Sequence, residues 1–356
     1  MDLRKYGYTD NQARSFNDLG LDDCVPGRVV ADYGGYLRVV TPDEFESEIA
    51  GSLQHDSESY QLPKVGDFVA LQIGIGNKAT IRAVLPRQSE IVRKSAGSGN
   101  SRQVLAANVD VAFVVQALDN DFNLNRLERY SYQLRQGGIE PVFVFNKADK
   151  VYDVDEKLDD VSKMGVSYIV TTATSGEGVD KIRNLIKDSK TAVLLGSSGV
   201  GKSTLTNVLL GIDQQKTAEI RQSDSTGRHT TSHRELFVLP SGGMIIDTPG
   251  IRELQLWGEK EFLTKSFADI EELAKSCEYR NCSHTKELNC AIKAAVTSGA
   301  LSQVRLDSYL RFKNELQSQV FLAVSKSIKL KKQRARRRKK SIQLGEKLAD
   351  DSEFYD

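Results

Sequence analysis

The sequence predicts a multidomain protein: an N-terminal β-barrel of the OB-fold type, a central α/β domain built around a phosphate loop, and a C-terminal helical domain that binds zinc. Three observations predict this fold class. Residues 23–90 contain short apolar runs broken by glycine and proline. Strands and helices then alternate around a glycine-rich loop, which predicts βαβ units and a mostly parallel sheet. Three of the four cysteines lie within residues 277–290, close to one histidine.

The bulk composition excludes several classes of protein. The chain has 356 residues, enough for two or three domains, and 39% of them are hydrophobic. No apolar run approaches the length of a transmembrane helix, and the N-terminus has no apolar segment typical of a signal peptide. Four cysteines in so long a chain do not indicate a secreted disulfide framework. We therefore expect a cytoplasmic monomer with no membrane association.

Changes in composition predict the domain boundaries. Residues 1–22 are polar and of mixed charge, which predicts a flexible arm. The barrel is expected over 23–90, where "GRVVADYGGYLRVVT" predicts a hairpin that turns at Gly34-Gly35. An OB-fold is the common barrel of this size, although other small barrels would have a similar pattern. "RKSAGSGNSRQ" predicts a linker over 91–104. The remaining boundaries are 105–258 for the α/β domain, 259–328 for the helical domain and 329–356 for a tail.

The tail begins with a run of positive charge. Residues 329–340, "KLKKQRARRRKK", contain nine basic and no acidic side chains, and subtracting nine from the formal charge of +1 leaves −8 for the rest. Such a run binds polyanions, usually nucleic acid, and the residues after it turn acidic. A solvated basic tail without a partner is the alternative.

The sequence "GSSGVGKS" at 196–203 matches the phosphate-loop pattern G-x4-G-K-[ST] between a predicted strand and a predicted helix. In this motif backbone N–H groups surround phosphate oxygens at the start of a helix. Lys202 is expected to reach the β- and γ-phosphates, and the Ser203 hydroxyl to bind Mg²⁺. A glycine-rich turn that only packs is the alternative. The predicted nucleotide contacts here are Gly196, Ser197, Ser198, Gly199, Val200, Gly201, Lys202, Ser203 and Thr204.

Two further segments predict contacts to magnesium and to the γ-phosphate. "MIIDTPG" places Asp247 after a buried strand, where its carboxylate can hold Mg²⁺ through water, and the Gly250 N–H can sense the γ-phosphate. The polar loop "STGRHTTSHRELF" contains Thr230 and Thr231, and one of these hydroxyls can complete the Mg²⁺ shell. These segments have the character of the two switch regions of a GTPase.

The run "VFVFNKADK" ends in an N-K-x-D tetrapeptide that predicts a guanine site. Asp149 can accept from both guanine N1–H and N2–H₂, a donor pair that adenine lacks. Asn146 can contact the base edge and brace the phosphate loop, and the alkyl stem of Lys147 can cover the ring. "TTAT" ends the next strand and offers backbone contacts for guanine O6 from Thr172 and Ala173. For the tetrapeptide alone, an ordinary turn is the alternative.

These elements occur in an unusual order along the chain. The base-binding segments precede the phosphate loop, and the switch segments follow it. A nucleotide site requires only that its loops meet in space. This order results if the N- and C-termini of an ordinary GTPase domain are joined and the chain is opened between the second switch and the N-K-x-D segment. The sequence therefore predicts a circularly permuted GTPase domain that binds GTP or GDP with Mg²⁺.

The cysteine-rich segment has the spacing Cys277-x4-Cys282-x-His284-x5-Cys290. Three thiolates and one imidazole within fourteen residues suit a closed, tetrahedral and structural Zn²⁺ site. Three incidental thiols beside a surface histidine are the alternative. Cys24 lies far away in sequence and is expected to be a small buried residue.

Together these motifs resemble the ribosome small subunit-dependent GTPase A family, which consists of circularly permuted bacterial GTPases. The resemblance is carried by "QVLAANVDVAFVV", "FNKAD", "GSSGVGKST", "GRHTTSHRELF", "DTPGIRE" and the cysteine–histidine cluster. It implies an N-terminal OB-fold and a GTPase that binds the small ribosomal subunit and its rRNA late in assembly. It also implies that the subunit stimulates hydrolysis.

One position departs from ordinary GTPases, many of which place a glutamine directly after D-x-x-G to orient the attacking water. Here that residue is Ile251, which cannot hydrogen-bond water, and the family shares this replacement. His229, in the first switch loop, is therefore the predicted catalytic residue that positions the water. The alternatives are a group supplied by the ribosome, or an exposed histidine without this role.

Two other functions fit parts of the sequence. The chain could be an RNA-binding scaffold that uses bound nucleotide only as structure, or an ATP-dependent kinase or ATPase, against which Asp149 argues. The barrel could bind protein rather than RNA, because its sequence shows no obvious aromatic platform on which bases stack.

Overall fold

A computed structural model describes residues 2–94, 102–118, 122–151, 154–162, 164–212, 234–247, 266–314 and 317. The chain divides into two compact units, Met1–Trp257 and Gly258–Asp356. The tail predicted for 329–356 lies outside the described residues. Within the ranges given, no helix has the length and apolar character needed to cross a lipid bilayer.

The N-terminal residues are folded, so the prediction of a flexible arm was wrong for residues 2–22. Leu3–Tyr6 form a 3-10 helix, and Asp10–Asn17 form α1, which begins with a capping box. Leu3 and Tyr6 are buried in a core that extends into the α/β domain. The many charged neighbours of these two residues masked their apolar character in the sequence.

Five strands close into the predicted barrel: β1 Val25–Asp32, β2 Leu37–Val40, β3 Glu44–Ile49, β4 Phe68–Ile73 and β5 Lys78–Val84, with helix α2, Gly51–Asp56, between β3 and β4. β1 pairs with both β2 and β4, and β3 pairs in parallel with β5, which closes the sheet. Val29, Leu71 and Ile81 fill the interior without exposure to solvent. The five-stranded barrel confirms the OB-fold prediction.

The two ends of the predicted linker, 91–104, belong to paired β-strands. The linker prediction was therefore wrong for residues 91–94 and 102–104. Strands β6, Glu90–Lys94, and β7, Arg102–Ala107, pair antiparallel. Ile91 and Val104 are buried. The Gly/Ser-rich composition that suggested a linker belongs to residues 95–101, which lie outside the described residues. The flanking runs "EIVRK" and "RQVLAA" contain the apolar residues that anchor the hairpin.

A mostly parallel sheet follows, with strands β8 Val111–Ala117, β9 Pro141–Asn146, β10 Tyr168–Val170, β11 Thr191–Leu195, β12 Arg234–Val238 and β13 Met244–Asp247. Its strand order is β10-β9-β8-β11-β13-β12, and only β12 runs antiparallel to its neighbour β13. The connecting helices are α3 Leu124–Gln136, α4 Val154–Ser162, α5 Val179–Ile186 and α6 Lys202–Leu210.

Both faces of this sheet are covered, because successive strand residues point to opposite sides. Val114 and Val193 belong to one hydrophobic core, whereas Val115 and Leu194 belong to the other. Since the strands are parallel, the carboxyl ends of β9, β8, β11 and β13 meet at one edge. Ligands of open α/β sheets bind at such an edge.

The barrel and the α/β sheet are continuous. β1 pairs antiparallel with β12, Ala31 opposite Glu235 and Asp32 opposite Arg234, which joins the strands into one sheet. Arg28 is fully buried beneath this junction and donates to the carbonyls of Gly66, at 3.2 Å, and Asn108, at 3.1 Å. Burial lowers the pKa of Arg28 to about 10, so the guanidinium remains charged at neutral pH.

The second unit is helical in its described part. It contains α7, Ala268–Ala274, and α8, Ala291–Thr297, and residues 303–314 are also helical. Arg305 forms a bidentate ion pair with Asp269, at 2.6 and 2.7 Å, and Tyr309 donates to Glu271 at 2.7 Å. These contacts attach the last described helical residues to α7.

Candidate nucleotide site and metal centre

The phosphate loop lies between β11 and α6, at the edge of the sheet where ligands are expected. The Lys202 ammonium donates to the carbonyls of Gly196, at 2.8 Å, and Ser197, at 2.6 Å. These two bonds hold the ammonium against the backbone of the loop. Ser198 and Ser203 are exposed. The predicted phosphate contacts are therefore together on one short loop at the start of a helix.

Two glycines of the loop are required by close packing. A Cβ at Gly196 would lie 2.1 Å from the Val115 carbonyl oxygen of β8, and a Cβ at Gly201 would lie 2.1 Å from Asn146 Nδ2. Both residues also have positive φ, of 141° and 100°. The two glycines thus allow the phosphate loop to touch the neighbouring strand and the base-binding segment.

Asn146 joins three segments of the site. Its Nδ2 donates to the Val200 carbonyl in the phosphate loop at 2.8 Å. Its Oδ1 accepts from the Ala173 N–H at 3.0 Å and from the Thr171 hydroxyl at 3.3 Å. The side chain is only 3% exposed. The bracing contact expected from the sequence is present, although 54 residues separate Asn146 from Val200.

The other predicted base contacts surround Asn146. Lys147 has a left-handed backbone, φ 62°, which turns the chain sharply after β9. Asp149 follows on a one-turn 3-10 helix and is exposed to solvent. Thr172 and Ala173 are buried beside the end of β10. Contacts from these residues to guanine stay predictions, and the Ala173 N–H already donates to Asn146.

The structure describes part of the predicted magnesium and switch residues. Asp247 ends β13 with an exposed side chain, and its neighbour Ile246 pairs with Val193 of β11, the strand that leads into the phosphate loop. Ser203 lies in the first turn of α6. The remaining predicted residues, His229, Thr230, Thr231 and Gly250, lie outside the described residues.

Sequence reasoning missed two features near these loops. Arg126, in the first turn of α3, donates from Nη1 to the Ser197 hydroxyl at 2.6 Å. The sequence signal that could have indicated this contact is a basic residue shortly after β8, the strand that pairs with β11. In the barrel, the hairpin turn stacks Tyr33 on Tyr36 with ring centroids 5.0 Å apart. Alternation along the strands does not indicate this pair, because the turn between β1 and β2 places the two rings together. Whether bases stack on the barrel stays a prediction.

The four predicted zinc ligands form one cluster. Their ligand atoms all lie within 4.8 Å of one another. The Sγ atoms of Cys277 and Cys290 are 3.8 Å apart, and His284 Nδ1 lies 3.7 and 3.6 Å from them. A tetrahedral Zn²⁺ with sulfur at about 2.3 Å and nitrogen at about 2.0 Å separates two sulfurs by about 3.8 Å and sulfur from nitrogen by about 3.5 Å. The donor set fits this ion.

Burial disfavours a thiolate at Cys282 unless a cation accompanies it. It raises the pKa of the Cys282 thiol to about 11, because a thiolate is poorly solvated there. A divalent cation would supply the opposite charge that stabilises thiolates in such a place. Cys24, in contrast, is buried alone in the first unit, as the sequence predicts.

Two protein-family models match parts of the chain that include the phosphate loop. The model described as RsgA GTPase matches residues 84–257. A second model, described as ABC transporter, matches residues 179–341. Both ranges include the phosphate loop, whereas only the first includes the N-K-x-D segment at 146–149.

Curated relatives match nearly the whole chain. The Small ribosomal subunit biogenesis GTPase RsgA of Syntrophotalea carbinolica is 37% identical over 329 residues, which is 89% of this chain and 90% of the relative. The protein of the same name from Xylella fastidiosa strain M23 is 42% identical over 299 residues, 82% of this chain and 88% of the relative.

Solved structures share the fold. YloQ, described as a circularly permuted GTPase, superposes with a TM-score of 0.60 at 27% identity and covers 84% of this chain and 96% of that chain. YjeQ from Thermotoga maritima superposes with a TM-score of 0.61 at 24% identity, over 83% and 99%. The predicted fold class, including the permuted order of the central domain, is confirmed.

Proposed function

Because the chain belongs to the RsgA GTPase family and is a GTP hydrolase, we propose that it binds the small ribosomal subunit through rRNA and acts late in the maturation of that subunit. We further propose that the subunit stimulates its hydrolysis of GTP. The support is the name shared by its curated relatives, Small ribosomal subunit biogenesis GTPase. A scaffold that uses nucleotide only as structure does not agree with membership of this family.

The observation that carries the GTP site is the hydrogen bond from Asn146 Nδ2 to the Val200 carbonyl, at 2.8 Å. It ties the base-binding segment to the phosphate loop, so one nucleotide can occupy both. Asp149 follows Asn146 by three residues and carries the carboxylate that distinguishes guanine from adenine. This placement supports GTP over ATP as the substrate.

The proposed mechanism is attack of water on the γ-phosphate. Backbone N–H groups of 196–203 and the Lys202 ammonium would hold the phosphates, and Ser203, Asp247 and a threonine at 230 or 231 would hold Mg²⁺. An ion held there would neutralise charge that develops on the phosphate oxygens. The Gly250 N–H reports the presence of the γ-phosphate.

Ile251 cannot orient the attacking water, so another group has to do so. His229 is our candidate. We expect His229→Ala to retain GTP affinity and to lose most of the subunit-stimulated kcat, about a hundredfold if the histidine orients the water. Full stimulated kcat in this variant, with unchanged GTP affinity, would show that His229 does not position the water.

Contacts with rRNA are proposed for the barrel and for the basic run at 329–340. The stacked Tyr33 and Tyr36 present an aromatic surface, with Tyr36 40% exposed, and Arg38 lies over the Tyr33 ring. Zn²⁺ is proposed as the ion of the cysteine–histidine cluster. A monomer in the cytoplasm without membrane contact is the state that we propose for this role.

The central experiment is a GTPase assay with and without purified small subunits. We expect slow phosphate release by the protein alone and a clear increase with the subunit. Equal rates in both conditions would contradict the proposed stimulation. In a competition between GTP and ATP, Asp149→Ala should reduce the preference for GTP, whereas Lys150→Ala, a change at the exposed neighbouring position, should retain it.

Removal of residues 329–356 tests the tail. We expect weaker subunit binding and a flatter dependence of the binding constant on salt, because fewer phosphate charges are neutralised. Unchanged binding across a salt titration would show that the basic run does not contact rRNA.

A further inference from the structure

We propose that Arg126 is a positioning residue for GTP hydrolysis: it holds Ser197 of the phosphate loop, and the Ser197 peptide in turn holds Lys202. This inference rests on the GTPase activity but not on the ribosomal partner. It concerns a residue that lies 70 positions before the loop in sequence and outside every motif described above.

The start of α3 lies beside the phosphate loop because of strand order. β8 pairs with β11, Leu195 opposite Val114, so the carboxyl ends of both strands lie together. The close approach of Gly196 to the Val115 carbonyl continues this contact into the loop itself. The start of α3 lies near Gly196 and Ser197 for this reason.

A buried amide determines where α3 begins. Gln116 is fully buried, and its side chain exchanges two hydrogen bonds with the backbone of Asn123: Nε2 donates to the Asn123 carbonyl at 3.0 Å, and Oε1 accepts from the Asn123 N–H at 3.0 Å. The Asn123 carboxamide then caps the helix by accepting from the Arg126 N–H at 3.1 Å. These bonds fix the backbone of Arg126 relative to β8.

The Arg126 side chain reaches the loop from this fixed position. Its Nη1 donates to Ser197 Oγ at 2.6 Å, and both side chains are partly buried. The Ser197 carbonyl accepts from Lys202 Nζ, also at 2.6 Å. Ser197 thus lies between two cations, one bonded to its hydroxyl and one to its carbonyl. Restricting the serine restricts the peptide that orients the lysine.

The electrostatics of α3 favour a functional interpretation of this arginine. A cation in the first turn of a helix is disfavoured by the helix dipole, and the first turn of α3 contains no acidic residue. The first turn of α6 begins with Lys202, the second cation in contact with Ser197. A bound polyphosphate is an anion that both cations would favour.

The test compares Arg126→Ala, Ser197→Ala and the double variant in the full-length protein. For each we would measure kcat/KM for GTP and the Kd of a fluorescent, non-hydrolysable GTP analogue. We expect each single change to lower kcat/KM about tenfold, the loss of one charge-assisted hydrogen bond. Because both changes break the same contact, the double variant should lose about tenfold and not about a hundredfold.

Arg135→Ala is the matched control, since Arg135 occupies the last turn of the same helix and pairs with Glu140 on the surface. It should retain wild-type kcat/KM. The preference for GTP over ATP should be unchanged in all variants, because the Asn146 brace is intact. The proposal would be overturned if the two losses of kcat/KM multiplied in the double variant. It would also be overturned if Arg126→Ala lowered kcat/KM and Ser197→Ala did not.

A failure of the proposed ribosomal role would be visible separately. It would appear as an absence of stimulation by the small subunit in the wild-type protein, whereas the analogue-binding measurements need no subunit. If Arg135→Ala weakened binding of the analogue as much as Arg126→Ala does, the effect would be a general one on α3. This result would also overturn the proposal.

Discussion

Asn146 joins the phosphate loop to the segment after β10 with a single carboxamide. Its Nδ2 donates to the Val200 carbonyl of the phosphate loop, and its Oδ1 accepts from the Ala173 N–H in the segment after β10. Because the side chain is buried, losing either partner would leave a polar group unpaired, which costs about 1–3 kcal/mol. Gly201 makes this arrangement possible, since only a residue without Cβ leaves room for Asn146 Nδ2.

At the residue scale we predict that Gly201→Ala sharply weakens GTP binding. The new methyl group would lie only 2.1 Å from Asn146 Nδ2, so the Asn146 side chain has to move. We expect at least about a tenfold increase in the Kd for GTP, the equivalent of about 1.4 kcal/mol. Isothermal titration calorimetry with GTP measures this Kd.

Gly211→Ala is the control for this prediction. Gly211 ends the same helix with a positive φ of 69°, and a Cβ there would meet no atom within 4 Å. It should lower stability by about 1–2 kcal/mol through backbone strain, with little effect on the Kd. Similar Kd values for the two variants would contradict the steric argument.

At the scale of elements, the cysteine–histidine cluster connects the end of α7 to the start of α8. Cys277 follows α7 closely, and Cys290 is the N-cap of α8. His284 adopts a left-handed backbone, φ 63°, that a β-branched residue would rarely adopt. The segment between the helices contains short turns and little apolar packing, so an ion is the natural source of its stability.

We predict that the chain contains one Zn²⁺ and that removing it unfolds this segment. Elemental analysis should give one zinc per chain. After chelation, three additional thiols should react with a thiol reagent. Cys282→Ala should lose the metal, whereas Cys24→Ala should retain it, because Cys24 is buried in the first unit. Equal zinc content in the two variants would contradict the assignment.

At the scale of the whole molecule, the first unit is one continuous structure formed by the barrel and the α/β sheet. The β1–β12 pairing places the barrel on the strand between the two predicted switch segments. Tyr6, Arg28 and Met244 meet beneath this junction, since Arg28 donates to the Tyr6 carbonyl and contacts the Met244 sulfur at 3.5 Å. The N-terminal residues are therefore part of the junction.

The ion pair between Arg38 of β2 and Glu235 of β12 should stabilise this junction modestly. The side chains are 31% and 28% exposed, so solvent screens the interaction. A double-mutant cycle with Arg38→Ala and Glu235→Ala should give a coupling of about 0.5–1 kcal/mol in urea unfolding. The exposed pair Arg4–Asp10 should give a coupling near zero. Additive effects at Arg38 and Glu235 would show that this pair does not bind the two domains together.

Tyr6→Ala should destabilise the whole first unit. The side chain is 9% exposed and belongs to the core shared with the α/β domain. We expect a loss of about 3 kcal/mol, typical of truncating a buried aromatic residue, measured by chemical unfolding. Tyr36→Ala, at 40% exposure, is the comparison and should cost much less. A small effect at Tyr6 would restore the expectation of a loosely attached arm.

The sequence by itself was enough to predict the residues of the nucleotide site and of the cysteine–histidine cluster, because these depend on local motifs. The phosphate loop, the N-K-x-D segment and the cysteine spacing each carry their chemistry within a few residues. Their order along the chain was enough to predict the permuted domain. The apolar alternation of the barrel strands was enough to predict a small closed sheet.

Only the tertiary structure decided which distant groups act together. The contact between Arg126 and Ser197, the stacking of Tyr33 on Tyr36 and the burial of Leu3 and Tyr6 all depend on the course of the backbone in space. So does the β1–β12 pairing, which joins strands about 200 residues apart in sequence. Local patterns cannot specify such contacts, since their free energy arises only when the elements have packed.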